Sequence, residues 1–77
     1  MARTLAEMSV GNRGRVIGFE AGSKEYRKKL LAMGLTKGTE FIINRFAPMG
    51  DPVEIEVRGY SLSLRKKEAN VLLVEGV

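Results

Sequence analysis

The chain has 77 residues, 44% of them apolar and 29% charged, which suits one small globular unit and excludes a multi-domain machine, a fibrous repeat and a disordered tail. It contains neither cysteine nor histidine, so disulfides, thiolate and imidazole metal sites, a Cys or His nucleophile or base, and a histidine pH switch are all excluded. Thirteen Lys and Arg against nine Asp and Glu give a net charge of +4, which suits a polyanion or an acidic protein surface.

The first element is a single turn, with Thr4 as its cap and Glu7 closing a capping box, which Gly11 and Gly14 keep from extending. Residues 15–19 read as the first strand, with Ile17 and Phe19 on one face and Val16 on the other. The clearest helix spans residues 24–33. Ser23 is its N-cap, Tyr26, Leu30 and Met33 form its apolar stripe, and Gly34 supplies the left-handed stop that lets Leu35 pack back on Leu30. Its other face is basic.

From Thr39 the apolar period becomes two, the repeat of a strand. Residues 39–46 form a strand covered on both faces for part of its length, and residues 47–52 form a loop, because neither Pro48 nor Pro52 can donate to a ladder. Residues 53–57 and 60–64 then alternate across an Arg58-Gly59 turn, a hairpin with Val53, Ile55, Val57, Leu62 and Leu64 inside. Residues 65–70 fit a short helical turn, and residues 71–75 a mostly buried closing strand. The pattern predicts a mainly β fold: a small, partly open β-barrel of about five strands, with one short helix inserted after the first strand, as a single domain over residues 1–77.

No run of apolar residues approaches the ~18 of a membrane span, and the N-terminus lacks the apolar stretch of a signal peptide, so the expected location is the cytoplasm. No phosphate-cradling motif is present, and the segment from Gly11 to Gly14 leads into a strand instead of a helix. For a divalent cation only oxygen donors remain. Asp51, Glu54 and Glu56 come nearest to a set, and exposed carboxylates without a third dedicated ligand bind such an ion weakly. The expectation is therefore no catalytic residue, no enzyme activity and no resident cofactor, with at most weak binding of ferrous iron or another divalent metal.

Two stretches qualify as a partner-binding surface: the loop with Pro48, Met49 and Asp51, and the basic helix face with Lys24, Arg27 and Lys28. Tyr60 at the hairpin joins them, since Tyr and adaptable Met are favoured at interfaces. The competing reading is a small basic barrel that binds nucleic acid; mixed-sign charge and only five aromatics, several needed inside, stand against it. A third is weak self-association through the edge of residues 53–57 or the C-terminal strand.

Four segments in order resemble the FeoA family of ferrous iron transport proteins: Leu5-x-x-Met8-x-x-Gly11-x-x-Gly14-x-Val16; Leu30-x-x-Met33-Gly34-Leu35-x-x-Gly38-x-x-Phe41; Ala47-Pro48-Met49-Gly50-Asp51-Pro52-Val53-x-Ile55-x-Val57-x-Gly59; and Leu64-Arg65-x-x-Glu68-Ala69-x-x-Leu72-x-Val74. The resemblance implies an SH3-like barrel. It also implies a cytosolic accessory of FeoB, the membrane permease for ferrous iron that carries a cytosolic G-protein domain, acting through protein contact. Gly11, Gly14, Gly34, Gly38 and Gly59 match family positions that permit tight turns and positive φ, while the 47–52 loop matches an exposed family loop. The family is described as transition-metal binding, although this sequence offers it no His or Cys.

Overall fold

The computed structural model describes residues 3–22 and 24–77. Ser23, the expected helix N-cap, lies outside the described residues. Six strands, β1 (Arg3–Thr4), β2 (Arg13–Phe19), β3 (Glu40–Phe46), β4 (Val53–Val57), β5 (Tyr60–Leu64) and β6 (Leu72–Gly76), form one antiparallel sheet in the order β1-β6-β2-β3-β4-β5. Among the described residues no ladder joins β5 back to β1, so the curled sheet stays open.

One strand more is present than the apolar pattern predicts. Arg3 and Thr4 pair with Val74 and Leu73 of β6, a two-residue ladder too short to leave a period of its own. The helix α1 (Lys24–Ala32) therefore follows the second strand, not the first. The expected opening turn survives immediately after β1: Leu5–Glu7 form a single 3-10 turn, with the Glu7 carboxylate accepting the Thr4 backbone N–H at 2.9 Å. The two segments expected as free edges are interior. β4 lies between β3 and β5, and β6 between β1 and β2.

The core forms where the inner faces of the strands meet α1. Val16, Ile43, Ile55, Leu64, Leu72 and Val74 are all but fully buried, and Leu5 from the opening turn closes one end. Two irregularities bend the sheet around them, at Ile17 between β2 and β6 and at Asn44 between β3 and β4, where the register shifts. Helix α1 ends as the sequence requires. The Gly34 N–H donates to the Leu31 carbonyl and the Leu35 N–H to the Leu30 carbonyl, both at 3.0 Å, with Gly34 at φ +91°. That is a Schellman stop, and its two leucines, Leu30 and Leu35, are both fully buried in the core.

Gly14 departs from the expected role. It lies inside β2, is buried, and has no positive φ; a Cβ built there would sit 2.5 Å from Cζ of Phe41. Its lack of a side chain makes room for a ring rather than for a turn.

The β4–β5 hairpin turns on two residues, Arg58 at φ 51° and Gly59 at φ +86°, the pair of positive angles of a type I′ turn. Arginine is strained there, since the left-handed region costs a residue with a Cβ about 1–2 kcal/mol and asparagine less. Arg58→Asn should accordingly stabilise the fold by about 0.5–1 kcal/mol, visible as a raised midpoint in urea with an unchanged slope.

Candidate functional site

The 47–52 loop is a braced turn. The Gly50 N–H donates to the Ala47 carbonyl at 2.7 Å and the Ala47 N–H to the Pro52 carbonyl at 2.9 Å, which places Pro48 and Met49 at the two central positions, where Pro48 has its preferred seat. Met49 is held out at 91% exposure. Asp51 reaches across to the second helix, α2 (Lys66–Ala69), where its Oδ1 accepts the Lys66 N–H at 3.0 Å. This bond satisfies an orphan donor at a helix start and adds a negative charge to the positive end. Asp51→Ala should cost about 1 kcal/mol in urea unfolding, the range of a lost helix cap. A weakened partner contact in that variant would therefore mix loop loosening with lost contact, and Met49 is the cleaner probe.

The stripe of Tyr26 and Leu30 on α1, continued by Met33 just past its last residue, faces the core, as its spacing requires. Lys24, Arg27 and Lys28 are exposed, and among the described residues none of them is ion-paired. Three other basic residues are ion-paired: Arg15 lies 3.5 Å from Glu40 and 3.3 Å from Glu75, Arg45 is 3.1 Å from Glu54, and Lys29 meets Glu68. The outer face of α1 thus presents three unpaired cations, with the exposed Glu25 among them. Arg27 sits 5.8 Å from the centroid of the Phe19 ring, within cation–π range, and Leu31 is 39% exposed beside it. Phe19, Arg27, Leu31 and Lys37 line a shallow concavity between α1 and the end of β2. Leu31 is a residue the sequence candidates omit, although its position about 100° around the helix from Leu30, off the core stripe, is the signal that finds it.

Tyr60 opens β5, and its hydroxyl donates to the Met33 carbonyl at 3.4 Å, covering a carbonyl left free at the end of α1. It is 43% exposed. Tyr60 pairs with Val57 at the closed end of the hairpin, whereas the loop enters β4 at Val53. Four strand steps, about 13 Å, separate the two. The fold thus joins Tyr60 to the end of α1 and sets the Met49 turn apart, giving two surfaces where the sequence offers one set of candidates.

The oxygen donors are not assembled. Asp51 is engaged by Lys66, Glu54 by Arg45, and Glu56 stands exposed on the outer face of β4 opposite Ser61. Among the described residues no group of three or more Asp, Glu, His or Cys side chains is gathered, so a bound metal finds no set of ligands there.

Residues 3–76 match the model of the FeoA domain. A curated relative, the Fe(2+) transport protein A/Fe(2+) transporter FeoB fusion protein of Porphyromonas gingivalis, is 32% identical over 71 residues, covering 92% of this chain. The chain spans only 8% of that relative's length. Among solved structures, the FeoA-like protein of Clostridium acetobutylicum superposes with a TM-score of 0.91 at 46% identity, over 99% of this chain and 87% of the other. The FeoA of Stenotrophomonas maltophilia, solved complexed with zinc and described as a prokaryotic SH3 domain protein, superposes with a TM-score of 0.79 at 24% identity, over 94% of this chain and 88% of the other, a likeness of fold.

Proposed function

Because this chain belongs to the FeoA family, associated with ferrous iron transport, we propose that it is a small non-enzymatic accessory of iron uptake that docks on the cytosolic portion of a FeoB-type permease and modulates transport. The observation that carries this reading is the Porphyromonas gingivalis relative, in which a FeoA unit and a FeoB transporter are one chain. Covalent linkage raises the effective concentration of two modules to about the millimolar range, which is of use when they act on each other. The same reading makes residues 1–77 a single SH3-like domain, cytoplasmic and held at the inner face of the membrane by its partner. Ferrous iron is the permease's cargo and not a ligand that this chain needs to hold.

Two features suit such a role: a rigid turn that presents Met49, and a helix face that presents free cations around Leu31. In this reading the effect on the partner comes from shifting its conformational populations. Such a shift is limited by the difference in affinity for the partner's two states. The test is ferrous iron uptake in cells that carry the permease but lack this protein. Wild type should restore uptake, and the paired change Met49→Asp with Leu31→Asp, at equal protein level, should not. Equal uptake with and without the protein would overturn the proposal.

A further inference from the structure

Among the described residues, strand β5 has one hydrogen-bonding edge with no occupant. It ends the sheet and, among the described residues, pairs with β4 alone, whereas the opposite end is the two-residue β1. Edges are commonly protected by shortness, charge, proline or a bulge. β1 has the first of these. β5, Tyr60-Ser61-Leu62-Ser63-Leu64, has no charge and no proline, and its ladder to β4 runs without a register shift over all five pairs.

The hairpin geometry identifies which groups face outward. Val57 and Tyr60 flank the two-residue turn and so exchange hydrogen bonds, and by the alternation of an antiparallel ladder Leu62 and Leu64 also bond inward to β4. The N–H and C=O groups of Ser61 and Ser63 therefore point away from the sheet. Both serines are exposed.

We propose that this edge pairs with β5 of a second copy of the same chain, antiparallel about a two-fold axis centred on Leu62. The occupant follows from the edge's own symmetry. With Leu62 opposite its counterpart, Ser61 faces Ser63 of the other copy on both sides of the axis, so the outward groups of each copy meet those of the other as hydrogen-bonded pairs. A two-fold perpendicular to the sheet keeps like faces together. The half-buried Leu62 then covers its counterpart, and the 43%-exposed Tyr60 lies beside Leu64 of the other copy. On the outer face, Glu54 and Glu56 of each copy stay separated from those of the other by two serine-bearing strands.

A five-residue strand spans about 17 Å, so the contact stays below the ~1,200 Å² of a standard interface and the dimer is weak, with a dissociation constant of about 0.1–1 mM. Each copy carries +4, so salt should strengthen the pairing by screening the repulsion, the reverse of binding through phosphates.

The experiment is a dilution series of the full chain, from about 1 mM to about 20 µM, followed by amide shifts and sedimentation equilibrium. The expected result is a monomer–dimer equilibrium, with concentration-dependent shifts centred on Ser61 and Ser63. It should be lost, with the fold retained, in Ser61→Pro, which removes an outward N–H, and in Ser63→Lys, which charges the edge. A monomer throughout the series overturns the proposal, as does association that survives Ser63→Lys or shifts centred on α1. An edge that responds only to added permease domain overturns it equally, by assigning β5 to a different strand.

Discussion

Gly14→Ala should destabilise the protein by about 2–3 kcal/mol and lower its melting temperature by about 10–20 °C, the upper end of what overpacking a small core does. The added Cβ would lie 2.5 Å from Phe41 Cζ and 3.1 Å from Met8 Cε. The methionine end can move aside. The ring cannot, because Phe41 is 2% exposed and its strand is fixed by the pairing of Arg13, Gly14 and Arg15 with Ile42, Phe41 and Glu40. The two positions should therefore be strongly coupled: in a Phe41→Leu background the penalty of Gly14→Ala should fall by more than half. Equal penalties in both backgrounds would mean that the cost arises from something other than the ring. Thermal and urea unfolding of the four proteins of the cycle provide the measurement.

Glu68→Ala should cost about 2–3 kcal/mol at neutral pH, because one carboxylate performs two tasks. It is 3% exposed; its Oε1 accepts the Arg65 N–H at 2.8 Å, capping α2, and its Oε2 meets the Lys29 ammonium from α1, which ties the two helices together. Burial alone would raise the pKa of Glu68. The hydrogen bonds from Lys29 and the Arg65 backbone, together with the charges of Lys29 and Arg65, outweigh burial and hold it below the usual range. A carboxylate with a lowered folded pKa contributes stability that is fully present above the unfolded pKa, about 4.3, and is lost as pH falls through the lowered value. Glu68→Gln keeps an oxygen for the Arg65 N–H and removes only the charge. Because the Lys29 side chain is 61% exposed and screened by solvent, its penalty should be smaller, about 1 kcal/mol at pH 7, and should shrink toward zero in acid. A gap between wild type and Glu68→Gln that does not narrow below about pH 4 would contradict this account of the charge.

Much of the fold is legible because its signals are local. The alternation of Val53, Ile55 and Val57, the Arg58-Gly59 turn and the Leu30-x-x-x-Gly34-Leu35 stop each carry their geometry within a few residues, and the structure has a strand, a type I′ turn and a Schellman stop there. What the sequence hides depends on partners distant in the chain. Arg3 and Thr4 become a strand only because β6 lies beside them, and Gly14 is required by a ring at position 41. Asp51 stands in the sequence as an exposed loop candidate and Glu68 only as a matched family position, and each acquires its structural role across the fold, from Lys66 and Lys29. The candidate surface divides for the same reason: residues 49 and 60 are near in the chain, but a hairpin extends between them. Which edge of the sheet is open follows from strand order, a property of the whole topology.

The most direct test of the docking account is a titration of the isotope-labelled protein with the isolated cytosolic domain of its cognate permease at physiological salt, followed by backbone amide shifts. The account predicts saturable shifts confined to the Met49 turn, to the Lys24, Arg27 and Leu31 face of α1, or to both, with binding weakened at least tenfold by charge-reversing changes in whichever surface responds. A spectrum unchanged at saturating partner, or shifts spread evenly over the sheet and indifferent to those changes, would contradict it.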